Sequence, residues 1–407
     1  MKSYKNEIII KFFKNSINSQ NITFKEKNFI GYQCTYIPEE ILISGGLNAV
    51  RIKGDRESSQ ADGYLPINFC PYIKAVWEEA HKNNDYLRSV VFAASCDGMR
   101  RLYDLFLSYK KETPCFMLDV PRNYDKASID FYSSRLGKLL EFIQNLNPDK
   151  KIDFEDMKSS IGIVNEKRKL LSELTQLYES GLNETLSTGI YFDILDLSAS
   201  SKNSLFILEL KDFLHEIKSR LDLNSDKSRV NSRKNNDINI MVVGNYINDD
   251  RFWNIFNDLD VKIVSGDLCV SSRYFDFRIN PDDLSTKDKK NEISYFNKTD
   301  NNGNNPDNLG MLLNLIAENY LKKPFCFRMS SLSEKLELLK SDIIKKNIRA
   351  VIFTSLKFCD NTLYFYPDLK SELEKLKIPS LYLDIEYGKS SYGQLRTRIE
   401  AFYEMLE

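Results

Sequence analysis

The chain has 407 residues, 42% hydrophobic and 28% charged, with 57 basic against 58 acidic side chains for a formal net charge of −1. That length predicts roughly two to three domains, and the composition reads as that of a soluble globular protein rather than a disordered or membrane chain. The balanced charge provides no basic field for nucleic acid, no apolar run reaches the length of a membrane span, and seven cysteines without a secretory signal are expected to be reduced thiols in a cytoplasmic protein.

The opening MKSYKNEIIIKFFKNS breaks its apolar residues with Lys and Asn and lacks a small-residue cleavage site, so it reads as a short amphipathic helix. Beyond it, short runs rich in Val, Ile and Phe alternate with stretches of helical period, the pattern of parallel sheets covered by helices. Strands are predicted at Ala49–Ile52, Ser89–Ala94 and Cys115–Asp119, and helices at Ile41, over Pro71–Lys82 and over Arg100–Tyr109. From Ser128 to Ser219 apolar residues recur three and four apart, as in VNEKRKLLSELTQLYESGL, and predict a helical connector. LNSDKSRVNSRKNNDIN is a polar linker that sets a boundary near Asp237. A second α/β unit follows, with strands at Ile238–Gly244, Val261–Ser265, Arg349–Thr354 and Ser380–Ile385 and an Asn-rich surface insertion, FNKTDNNGNNPDNLG. The last helix starts at a capping box of Ser391 and Gln394 and presents Leu395, Ile399, Phe402 and Leu406 on one face. The fold class is therefore α/β: two parallel-sheet lobes of Rossmann or flavodoxin-like type, 1–127 and 237–407, joined by a helical connector over 128–236.

His81 and His215 are the two histidines, which argues against zinc-hydrolase chemistry and leaves few candidates for a Ser/His triad. HExxH, GxGxxG, GxxxxGK and GxSxG are absent. The chemistry is sought in the cysteines. Cys70 in LPINFCPY, Cys96 in VVFAASCDG and Cys359 in VIFTSLKFCD each stand where a segment hands over to a predicted helix. Unpaired N–H groups and the positive end of the dipole favour a thiolate there and tolerate an anionic iron-sulfur cluster. Cys96 and Cys359 follow strands, where ligands bind in open α/β sheets. Burial as small apolar fillers is the competing reading, because the spacing contains no compact CxxC run. Cys115 and Cys326, in strand-like apolar context, read as structural; Cys34, before a helix at Pro38, and Cys269, in a loop, are reserve ligands. Glu39 and Glu40 read as dipole complements in a first helical turn, Ser95 as the end of its strand, and Arg396 and Arg398 as surface or interdomain ion pairs.

GYQCTYIPEEIL, NFCPY, VVFAASCDGMRRLYDLF, MLDVPR, VNEKRKLL, GDLCVSSRYF, SLKFCDN, YPDLKSELEKLKIPSLYLDIEY and GQLRTRIEAFYEML together resemble the 2-hydroxyacyl-CoA dehydratase and benzoyl-CoA reductase family, in particular its smaller dehydratase subunit. The resemblance spans most of the chain. It implies a 4Fe-4S cluster held by the cysteines of the NxCP-like, CDG and KFCD segments, which here are Cys70, Cys96 and Cys359, with a fourth iron free of protein ligands. It also implies an acyl-CoA substrate, a related dehydratase subunit as dimer partner, and a separate ATP-hydrolysing iron-sulfur activator, in keeping with the missing phosphate loop. Asn361 stands where the family usually has proline, and no adjacent cysteine pair of the double-cubane type occurs.

The implied reaction is dehydration of an (R)-2-hydroxyacyl-CoA to the enoyl-CoA. One electron enters the thioester carbonyl, the resulting ketyl radical expels the 2-hydroxyl, and the electron is returned after each turnover. Two alternatives stay open within the resemblance: a reductase of the benzoyl-CoA type, and a non-catalytic subunit that relays electrons to a catalytic partner. The residues that hold CoA or act as base are not legible.

Overall fold

The computed structural model describes residues 11–16, 28–54, 60–82, 86–180, 186–223, 238–245, 247, 249–259, 261–285, 307–387 and 392–406. Eight strands among them form two four-stranded sheets. β1 (Phe29–Gln33), β2 (Asn48–Arg51), β3 (Leu87–Ala93) and β4 (Cys115–Leu118) lie in the order β2-β1-β3-β4; β5 (Ile240–Gly244), β6 (Ile263–Asp267), β7 (Ala350–Leu356) and β8 (Ser380–Ile385) lie in the order β6-β5-β7-β8. Every pairing is parallel. The expected α/β architecture of two parallel sheets is thus present. In each sheet the order reverses between the first and third strands of the unit, and the crevice outside the carboxyl ends of those strands is where such sheets bind ligands.

The strands are covered on both faces, which is why they read as nearly unbroken apolar runs. One face of each sheet, with Val90 and Phe92 in the first and Ile240, Val242 and Ile352 in the second, belongs to a single core shared with the helices Phe154–Ser180, Thr188–Ser200 and Asn203–Leu223. The other face of the first sheet packs Ile30, Tyr32, Val91 and Ala93 against the helices Lys126–Leu146 and Asp307–Lys322. The other face of the second packs Met241, Val243, Val351 and Phe353 against Leu332–Lys345 and Asp360–Lys375.

β1 is the strand that sequence patterning overlooked. Its five residues FIGYQ include a glycine and a glutamine, yet all are buried. Gly31 suits the site because a Cβ there would come within 2.9 Å of the Ile52 side chain on the neighbouring strand exit. Cys326 lies in a turn after the helix Asp307–Lys322, so its strand-like context is corrected: the apolar residues around it, Phe325 and Phe327, serve two different cores. Residues 11–16 are helical. The first ten residues, the linker residues 224–237, the insertion residues 296–306 and the Ser391 cap fall outside the described residues.

Candidate functional site

Cys70, Cys96 and Cys359 each sit immediately before a helix. Cys70 precedes Pro71, the first residue of the helix Pro71–Lys82, where a missing N–H costs nothing. Cys96 and Cys359 are the N-cap residues of Asp97–Tyr109 and Asp360–Lys375, both extended and neither spending its side chain on the cap. The backbone N–H groups of Ile73 and Tyr72 near Cys70, and of Met99 and Gly98 near Cys96, favour the thiolate form of each. Gly98 lets the two helix starts approach, since a Cβ on it would reach within 2.9 Å of Ile73 and 3.8 Å of the Cys96 sulfur.

The third thiol arrives from the other sheet. β5 and β7 are neighbours that end side by side, with Gly244 opposite Thr354. Gly244 turns at φ +153°, and a Cβ there would lie 2.0 Å from the Thr354 carbonyl oxygen, so glycine is required. The turn aims Asn245 at the segment after β7: its Nδ2 donates to the Cys359 sulfur at 3.3 Å, and its Oδ1 accepts from the Leu356 N–H at 2.8 Å and the Thr362 hydroxyl at 3.2 Å. Phe358, at φ +61°, completes the bend that presents Cys359.

All three thiols border the core shared by the two sheets. Burial pushes Cys70 up to about 12, with the thiolates of Cys359 and Cys96 raising it further; burial pushes Cys96 up to about 11, with Cys359 and Cys34 adding to it. The three predicted thiols are thus near enough for Cys359 to disfavour the ionisation of Cys70 and Cys96. They are spread more widely than the ligands of a single ion: among the described residues no three His, Cys, Asp or Glu side chains are grouped closely enough to hold one.

The remaining cysteines divide. Cys115 opens β4, at the end of the strand opposite to this crevice, and burial raises its thiol to about 11. Cys269 lies beside the Cys326 thiol, and that neighbour, with Arg273, Arg51 and Lys323, outweighs burial and holds Cys269 well below the usual thiol range. Cys34 follows β1 in the left-handed region at φ +94°. Burial brings the neighbouring Lys323 down to about 7, and its ammonium donates to the Thr35 carbonyl.

Two groups of ionic residues went unrecognised in the sequence. Glu39 and Glu40 do stand in the first turn of the helix Glu39–Ser44, as read, but they are buried there and ion-paired. Glu39 accepts from Tyr32 at 2.6 Å, Tyr274 at 2.7 Å and the Lys167 ammonium at 2.6 Å. Burial opposes its ionisation, but Lys167 and these hydrogen bonds more than offset it and leave the carboxyl below its usual range. Glu40 accepts from Arg168 and Tyr320, each at 2.7 Å. Asp267, at the end of β6, is clasped by Arg273 at 2.8 Å and Lys335 at 2.7 Å, which overcome its burial and hold it far below the carboxylate range. The one sequence signal was KRK in VNEKRKLL, three cations in a row on an amphipathic helix, of which Lys167 and Arg168 are buried. Arg396 pairs with exposed Asp258 at 3.3 Å and Arg398 donates to the Tyr382 carbonyl, so neither bridges the lobes.

Beside Cys96 lies a cavity of about 440 Å³, lined also by Ser95, Asp97, Arg100, Arg122 and Arg328. Among the described residues no helix is long and apolar enough to cross a membrane.

The sequence profile of the family described as 2-hydroxyglutaryl-CoA dehydratase, D-component, matches residues 34–406. The lactoyl-CoA dehydratase subunit beta of Anaerotignum propionicum is 23% identical over 386 residues, covering 93% of this chain and 92% of that one. The (R)-phenyllactyl-CoA dehydratase beta subunit of Clostridium sporogenes is 22% identical over 383 residues, 93% of this chain and 91% of that one. The (R)-2-hydroxyglutaryl-CoA dehydratase subunit beta of Acidaminococcus fermentans is 22% identical over 406 residues, 93% of each.

Proposed function

Because this chain belongs to the 2-hydroxyglutaryl-CoA dehydratase D-component family, we propose that it is the iron-sulfur, β-type subunit of a 2-hydroxyacyl-CoA dehydratase and works with a related partner subunit, as the names of its relatives suggest. The reading rests on the placement of Cys96 and Cys359 after β3 and β7, in two sheets, and of Cys70 at the start of the helix Pro71–Lys82, with Cys359 and Cys96 near enough to raise the Cys70 thiol. The donor set fits a 4Fe-4S cluster in chemistry: three soft thiols, each at a helix start whose backbone N–H groups favour anionic sulfur, with an amide donating to the third. Such a cluster, charged by one electron from a separate ATP-dependent activator, would supply a Lewis-acidic iron and a one-electron donor for loss of water from an (R)-2-hydroxyacyl-CoA through a ketyl radical.

The chain's own part is to shape and polarise that place. The helix starts at Pro71, Asp97 and Asp360 turn their unpaired N–H groups toward the crevice and favour anionic sulfur there. Asn245 fixes the rotamer of Cys359. The shared core, in which Val90, Phe92 and Ile352 are fully buried, excludes water from behind the thiols.

Anaerobic purification with iron and acid-labile sulfide analysis tests the reading. Cys70→Ser, Cys96→Ser and Cys359→Ser should each lose most of the iron, and Cys115→Ser should retain it. Iron-free wild-type protein under strict anaerobiosis, or equal loss in all four variants, would refute the assignment.

A further inference from the structure

The cavity beside Cys96 is walled by segments that meet only in the folded chain: the exit of β3 with the start of the helix Asp97–Tyr109, the loop 120–122 after β4, and Arg328 from the turn after the helix Asp307–Lys322. Its size is that of a small-molecule site. Three arginines line it against one carboxylate, and that carboxylate, Asp97, faces Arg101 at 3.7 Å along its own helix. Arg100 and Arg122 are exposed, and among the described residues neither has a carboxylate within ion-pair distance. Arg328 is buried. Its Nη1 donates to the Pro121 carbonyl at 2.9 Å and its Nη2 to the Val120 carbonyl at 2.8 Å, while its Nε–H has no acceptor. The Ser330 N–H also holds the Arg122 carbonyl at 2.9 Å. These bonds fix the backbone that carries Arg122, so the site is formed before anything binds. Two exposed guanidinium groups without a carboxylate partner, gathered with a third at one cavity, make a local positive field that favours an anion.

We infer that this cavity is a binding site for a small oxyanion, a carboxylate or phosphate group, held by Arg100 and Arg122 over a floor set by Arg328. Planar guanidinium forks match both chemistries. Resting on the function proposed above, the oxyanion is carried by the acyl-CoA, as a carboxylate at the far end of its acyl chain or as a phosphate of the CoA. A carboxylate seated here selects dicarboxylic acyl groups; a phosphate seated here anchors the CoA end of the substrate.

Titration calorimetry on the full-length, iron-free chain with glutarate, inorganic pyrophosphate, CoA and dephospho-CoA tests this without depending on the cluster. At least one probe should bind, with affinity that falls as salt rises. The double variant Arg100→Gln/Arg122→Gln should weaken it about tenfold or more with an unchanged melting temperature, and the remote Arg396→Gln should not. Glutarate binding that CoA does not compete assigns the acyl carboxylate; binding of CoA and pyrophosphate without glutarate assigns the phosphate. No binding of any probe, or binding indifferent to the double variant, overturns the site. Loss of iron in the cysteine variants leaves this result untouched, so the two readings fail separately.

Discussion

The two sheets share one strand order and yet present their cysteines by different means. In the first, Cys70 and Cys96 stand at helix starts whose backbone N–H groups favour their thiolates. In the second, Cys359 is met by the side chain of Asn245. The first sheet has an amide in the corresponding place, Gln33 at the end of β1, but it accepts from the Tyr72 hydroxyl and donates to the Ile52 carbonyl at 3.1 Å. The surroundings of the two sheets also differ in how they hold charge. Beside the first, Glu39 and Glu40 pair with Lys167 and Arg168 of the helix Phe154–Ser180, whereas beside the second Asp267 pairs with Arg273 and Lys335. Topology therefore delivers a residue to the crevice, and side-chain choice decides whether it supports the thiol, the lobe or the joint between lobes.

The sharpest way to break this contrast is at the joint. Arg168→Met leaves Glu40 buried and half-satisfied, and it should cost about 3–5 kcal/mol in urea denaturation. Pairing it with Glu40→Leu should recover most of that loss, because replacing both partners removes the stranded charge. A loss below about 1 kcal/mol would mean that the seam is not what joins connector and lobe.

A smaller effect is expected within the second lobe. Asp267 ionises more readily folded than unfolded, so its contribution is complete above the unfolded value near pH 4 and disappears as acid carries the solution down toward the folded value. Asp267→Asn should lower stability at neutral pH by about 1–3 kcal/mol and flatten the loss below about pH 4. Denaturation midpoints between those conditions measure both, and parallel acid limbs for the two proteins would contradict the assignment.

The mildest test contrasts the two amides directly. Asn245→Ala should reduce stability by about 1 kcal/mol and speed iron release to a chelator from reconstituted protein. Gln33→Ala should show a similar stability cost with unchanged release. If both variants release iron alike, the distinction between the lobes' thiols disappears.

Legibility in the sequence followed the range of the forces involved. β3 and β7 were readable because VVFA and AVIF carry their burial on adjacent residues. β1 was not, because a five-residue strand with Gly31 and Gln33 owes its place to neighbours on both sides. The positions of Cys70, Cys96 and Cys359 at helix starts were local and readable. Their company was not: Asn245 is 114 residues from Cys359, and no local pattern marks it.

Alternating apolar runs, helix starts and three cysteines at those starts were settled by the order of residues alone, since each depends on contacts within a turn or a strand. Which charges are buried, which amide reaches a thiol and which arginines share a cavity were settled only by the fold. Glu40 and Arg168 stand 128 residues apart in the chain and 2.7 Å apart in space. An ionic group has the same formula exposed or buried, and what lies opposite it decides whether it is solvated, paired or left to bind something else.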